Sequence, residues 1–230
     1  IRRQRQMCIR DSALAQEGVR FTNLFSNAPW TGPSVGSFFS SSYPSECGFG
    51  RVPGDDMMAL SVHNLLTLEP PGPTLAECMR AGGYRTAVFS GTPMLASPYS
   101  AGLDRGFEKS WIPAEPAVAQ VVTEEVLHWM SSEAKEPFFL YVHYIDPHAP
   151  YNPPQLPPGP RGSRENWLRS RIMNVRTEKQ EFSPEDRALL RYLYDQQIVY
   201  VDQALGRLLG GIRAPHWSRP MVVFVTADHG

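Results

Sequence analysis

Two apolar runs that end on the same kind of residue constrain this chain more than any other feature. Residues 137–146, PFFLYVHYID, lead into Asp146-Pro147-His148, and residues 221–228, MVVFVTAD, lead into Asp228-His229. Runs this continuous are expected of strands buried on both faces, which occur in parallel sheets covered by helices. Around them the pattern alternates. A helix ends in residues 13–20 and is stopped at Gly18, a short β-prone segment spans 21–25, and a helix opens near Thr31 and stops by Pro44. Pro33 suits its first turn, where the missing N–H costs nothing. A helix over 73–83, a strand over 84–90, a helix over 115–134 and a long helix over 183–212 follow. In the last, Ser183 is the cap, Pro184 sits just inside and Gly210-Gly211 is the stop. The order predicts an α/β fold, a three-layer α/β/α sandwich around a mostly parallel sheet. The Pro/Gly-rich stretch 151–163 reads as a loop within that domain.

Charge narrows the partners. The 230 residues carry 22 basic and 23 acidic side chains, a net charge of -1. Nothing here attracts nucleic acid or an anionic membrane, and no run is long enough to span a bilayer. Cys8, Cys47 and Cys78 have neither metal nor disulfide spacing and read as isolated thiols. Residues 1–12, IRRQRQMCIRDS, are polar and aperiodic. They read as a foreign or artefactual leader, leaving 13–230 as a partial catalytic domain. The end at Gly230, directly after an apolar run, reads as a second truncation.

In an open parallel sheet, sites form beyond the carboxyl ends of the strands. Both Asp/His pairs are therefore expected in one crevice. Asp228 and His229 suit a divalent metal, the imidazole favouring zinc or manganese over calcium or magnesium. Taken alone, Asp228 reads equally as the cap of a following helix. Thr31 is a candidate nucleophile at a helix mouth, where free N–H groups face an anion. A threonine hydroxyl needs a metal or a base to become reactive, and taken alone Thr31 reads as a helix cap.

At these residues the chain resembles the sulfatase branch of the alkaline phosphatase superfamily. LAQEGVRFTNLFSNAP, WTGPSVGSFFSSSYP, PTLAECMRAGGYRTAVFS, GLDRGFE, FFLYVHYIDPHAPYNPP, YDQQIVYVDQALGRLL and VVFVTADHG follow the family's blocks in order. The resemblance implies an alkaline-phosphatase-like fold and a metal-dependent sulfatase-like hydrolase of sulfate or phosphate esters. Thr31 is then the nucleophile and, as an alkoxide, a metal ligand beside Asp228 and His229. His148 contacts the substrate's anionic group or leaving oxygen, and His143 and Asp146 support the substrate. The cofactor is a divalent metal, zinc or manganese ahead of calcium. The substrate is a small-molecule or glycan- or lipid-linked sulfate or phosphate ester, and the family's usual setting is exported or periplasmic.

The departures carry as much information. Thr31 stands where sulfatases of the usual kind have a Cys or Ser that becomes formylglycine. Val35 stands where that motif has Arg, and Ser90-Gly91-Thr92-Pro93 replaces a later Gly-Lys-x-His. A threonine nucleophile looks more like the phospho-transferring relatives, so a phosphodiesterase or a phosphotransferase of phosphoethanolamine or glycerophosphate type is an alternative. The missing cationic groups motivate a third reading, a non-catalytic binding protein. The first family strand, with its Asp ligands, is not in this sequence, and these 230 residues are expected to be inactive by themselves and to bind metal poorly.

Overall fold

A computed structural model describes residues 9–48, 66–67, 69–96, 100–135, 137–156, 163–172, 182–215, 217 and 220–230. Residues 1–8 of the expected leader, and 157–162 of the expected Pro-rich loop, lie outside them. Helix α1 (Ile9–Glu17) opens inside the stretch read as a leader and stops at Gly18 as expected. Helix α2 (Thr31–Ser40) ends on Ser41, which takes the left-handed conformation at φ 54° and closes the last turn onto Ser37 O.

Next come β1 (Leu66–Thr67), α3 (Leu75–Ala81), β2 (Arg85–Ser90), a 3-10 turn at Pro93–Leu95, β3 (Ser100–Ala101) and β4 (Lys109–Trp111). Helix α4 (Ala119–Ser132), β5 (Phe138–His143), α5 (Arg164–Ile172) and α6 (Pro184–Ile212) complete the chain. Two of the helix starts are written locally. Thr74 and Glu77 form a reciprocal capping box on α3, and Ser183 and Asp186 form another on α6.

Among the described residues every strand pairing is parallel. The main sheet has the order β4-β2-β5, and β1 pairs with β3 separately. Side chains of β5 alternate between two cores, as the pleat requires. Phe138, Leu140 and Val142 pack with Ala87, Phe89, Val122, Val126, Trp129 and Leu208, against α4 and α6. Tyr141 packs with Val35, Phe39, Leu95 and Leu103, against α2. Helices thus cover both faces of a parallel sheet, as the apolar runs predict.

Three expectations fail. Strand β5 is half-buried throughout, because no strand pairs with its outer side among the described residues. Among the described residues the run 221–228 joins no ladder and is not a buried strand: Val222 and Phe224 are 82% and 83% exposed. Extended backbone becomes sheet only when a neighbour takes its N–H and C=O groups. The β-prone segment 21–25 is irregular for the same reason, with Phe21, Leu24 and Phe25 exposed. Strands β1, β3 and β4, the 3-10 turn at Pro93–Leu95 and helix α5 have no counterpart in the sequence reading.

Candidate active site

Strand β5 ends at His143, and the extended segment 221–228 brings Asp228 against it. His143 Nε2 stands 3.6 Å from Asp228 Oδ2, and His229 Nε2 stands 3.7 Å from the same oxygen. Thr31 Oγ1 is 3.5 Å from His229 Nε2. Four groups from three distant parts of the chain thereby meet: a hydroxyl, a carboxylate and two imidazoles.

Thr31 is not the cap of α2. The cap position belongs to Trp30, no side chain bonds the first turn there, and Thr31 is the buried first helical residue. Its hydroxyl is thus left to face the Asp228–His229 pair, at the end of a helix where free N–H groups and the positive dipole end gather. Asp228 does not cap a helix within the described residues either.

The main chain of Asp228 is held by hydroxyls absent from the sequence reading. Ser34 Oγ donates to Asp228 O at 2.5 Å, and Ser26 Oγ lies 2.5 Å from that oxygen and 3.0 Å from Ser34 Oγ. Ser34 is three residues after Thr31 on α2, so both side chains share one helix face. That spacing is the signal that could have found it. Nothing local marks Ser26.

The Asp228 carboxylate is only partly satisfied. Oδ1 accepts from the His229 N–H at 3.0 Å, while Oδ2 is buried and has no hydrogen-bond partner. Burial works to raise its pKa, but the His143 contact and charge, the Thr31 hydroxyl and the His229 charge together bring it down to about 2. The carboxylate is therefore charged at any working pH. Tyr141, stacked on His143 with ring centroids 6.3 Å apart, has its hydroxyl pushed up by burial and by the charge on Asp228.

An orphaned carboxylate oxygen beside two imidazole nitrogens and a hydroxyl is the donor chemistry that borderline divalent metals take. The fit is partial. Among the described residues, no group of three or more His, Cys, Asp or Glu side chains is arranged to hold an ion.

The other Asp/His pair behaves differently. Asp146 does not join the Thr31–Asp228 group. It is buried, its Oδ2 accepts from the Ala119 N–H at 2.8 Å, and its Oδ1 accepts from Gln197 Nε2 at 3.2 Å. The cap residue of α4 is Val118, whose apolar side chain cannot cap, so Asp146 caps that helix from the tip of β5. Burial raises its pKa, against the opposing pull of the Ala119 and Gln197 bonds. His148 is exposed, and its Nδ1 sits against Ala149 O, one residue on. Among the described residues no hydrogen bond or ion pair joins it to Thr31, Asp228 or His229.

The two substituted motifs are built into the fold. Val35 is fully buried in the core beside Phe39, Leu95 and Leu103. Ser90 is also buried, and its hydroxyl closes a turn by bonding Thr92 O at 3.0 Å and accepting from Thr92 N at 3.1 Å. No cationic side chain enters the site from either position.

Comparison with known proteins shows the family. The Sulfatase family model matches residues 3–230. No curated protein sequence matches. The phosphonate monoester hydrolase of Agrobacterium radiobacter is similar in structure at a TM-score of 0.62 and 17% identity, over 90% of this chain and 54% of that one. A 2-O GAG sulfatase gives 0.61 and 17%, over 91% and 50%. A protein in complex with its substrate D-glucosamine-2-N,6-O-disulfate gives 0.59 and 15%, over 89% and 57%. The chain therefore spans about half the length of these structures, and at such identities the likeness is one of fold. The match of the family model over nearly the whole chain, on a parallel α/β frame with Thr31, Asp228 and His229 at one sheet edge, makes this chain a member of the sulfatase family.

Proposed function

We propose that the protein is a metal-dependent hydrolase of sulfate or phosphate esters in which Thr31 is the nucleophile. The observation that carries this reading is the placement of Thr31 Oγ1 3.5 Å from His229, with Asp228 in the same group. Asp228, His229 and Thr31 are the residues that would hold a divalent metal, zinc or manganese before calcium. Bound there, it would supply the charge that lowers the hydroxyl's pKa and offsets charge on the non-bridging oxygens. The threonine oxygen, its proton lost to solvent, attacks sulfur or phosphorus in line; the bond from that atom to the leaving oxygen breaks as the new ester forms, and the leaving alcohol takes a proton from His148. Water or an acceptor alcohol then releases the group. His148, exposed on the loop after β5, serves the leaving oxygen. His143 is oriented by Asp228, and Asp146 supports the substrate loop from beneath rather than touching the ester. The family's usual exported or periplasmic setting is adopted with this reading; among the described residues no helix is long and apolar enough to cross a membrane.

A second reading is a phosphodiesterase or phosphotransferase. The specific observation in its favour is a threonine at position 31 with a buried valine at 35. Threonine cannot become formylglycine, and an alkoxide attacking phosphorus needs no such conversion. The same loss of charge supports a third, non-catalytic binding role. Substrate profiling of a full-length, metal-replete protein separates them. Turnover of aryl sulfates without phosphodiesters rejects the second reading, and turnover abolished by Thr31→Ala rejects the third. Turnover unaffected by Thr31→Ala rejects the first.

A further inference from the structure

His148 sits on a loop held at both ends by buried polar groups. At the root, Asp146 is bonded to α4 and to Gln197 of α6. At the far end the anchor is Arg169 of α5. Its side chain is 5% exposed, an expensive position for a guanidinium unless its donors are met. They are met from two directions. Nε and Nη2 donate to Glu165 Oε1 one turn back, at 3.1 and 2.5 Å. Nη1 donates to Tyr151 O and to Asn152 Oδ1, both at 2.5 Å. A surface pair with Glu165 alone would need no burial and would leave Nη1 in water. Here the planar fork spans from its own helix to main chain three residues beyond His148, a task suited to Arg rather than Lys. Tyr151 also packs its ring on Tyr194 at 5.3 Å, and Gln155 Nε2 donates to Gln196 O at 2.7 Å.

We infer that Arg169 is a positioning residue: it clamps the loop at Tyr151-Asn152 so that the His148 imidazole is presented to the leaving oxygen. This rests on the ester-hydrolase reading above. Helix α5 then belongs to the catalytic apparatus, although Arg169 bonds the loop and not the Thr31–Asp228 group.

The test uses full-length, metal-replete protein carrying Arg169→Lys, Arg169→Met or His148→Ala, assayed on a 4-nitrophenyl ester and an alkyl ester of the acid group it hydrolyses. A misplaced proton donor harms a poor leaving group most. Both Arg169 variants are expected to lower kcat about 10- to 100-fold on the alkyl ester and less than about 3-fold on the nitrophenyl ester. His148→Ala should reproduce the pattern, and combining it with Arg169→Met should add little. Amide hydrogen exchange in Arg169→Met should quicken over 147–156 and stay unchanged in β2 and α4. Equal losses on the two esters, additive losses in the double variant, or unchanged exchange in 147–156 would overturn the inference. Should wild type hydrolyse no ester, the functional reading falls and the leaving-group role with it. The exchange measurement then still decides whether Arg169 holds the loop.

Discussion

The tips of the two apolar runs carry the same letters and opposite roles. Asp146-Pro147-His148 follows β5, a laddered strand, whereas Asp228-His229 follows an extended segment with no ladder partner among the described residues. At the first tip the pair is divided: the carboxylate turns inward to cap α4 and bond Gln197, and the imidazole stays at the surface. At the second tip both side chains converge on Thr31 and His143. The difference teaches that an Asp/His pair at a strand end is not a unit. Each member goes where an unmet need lies. The uncapped N-terminus of α4 takes Asp146, and the buried cluster around Asp228 Oδ2 takes His229.

The comparison can be broken in several ways, and the largest effect belongs to the second tip. Thr31→Ala is expected to cut kcat/KM of a full-length, metal-replete protein by about 10³-fold or more. Its melting temperature should move little, since Thr31 makes no capping bond. A drop in stability without loss of turnover would return Thr31 to a structural role.

Packing around the two segments should differ nearly as much. Phe89 of β2 is 1% exposed against Trp129, and Phe89→Ala is expected to cost about 3–5 kcal/mol in denaturant unfolding of the 230-residue chain. Phe224→Ser in the same chain should stay within about 0.5 kcal/mol. Equal costs would mean that the segment before Asp228 is packed after all.

Gly91 sharpens the first tip. Its N–H donates to His143 O at 2.8 Å, and its carbonyl accepts from the Ala117 N–H at 2.9 Å. A Cβ there would stand 2.5 Å from Ala117 O and 3.2 Å from Ile145 N. Gly91→Ala is expected to cost about 1–3 kcal/mol, because both close atoms are backbone. An unchanged unfolding midpoint would show that the β2 and β5 ends can separate.

The smallest effect comes from Asp146→Asn, at about 1 kcal/mol or less near neutral pH. Its sign with pH is diagnostic. Burial raises the folded pKa, so the folded state holds the proton longer than the unfolded chain does. The carboxyl therefore adds stability at low pH, and loses it as pH climbs from about 4 through the raised value. Wild type should gain stability over Asp146→Asn on acidification. A gain on raising the pH instead would mean an ionised, fully bonded carboxylate.

Several features were readable because their causes are local. The Ser183 cap, the stop at Gly18, the continuous apolar run before Asp146 and the alternation that predicts a parallel sheet each lie within a few residues. Thr31, Asp228 and His229 were named from residue chemistry and family resemblance together, and the structure brings them into one group. Asp146 was misplaced because its partner, the Ala119 N–H, belongs to a helix 27 residues away. Arg169 was missed because a charged residue in a polar helix looks solvated until its burial is seen. Helix α5 itself has almost no apolar face to announce it.

The sequence by itself determined the longer helices, the strands at β2 and β5 and the residue types able to do ester chemistry, because propensity, capping and patterning act over a few residues. Only the tertiary structure decided which of them share a site. A hydroxyl and an imidazole 198 positions apart meet only through the packing of α2 beside the β5 edge. The same packing sends one aspartate to a helix end and leaves the other facing two histidines.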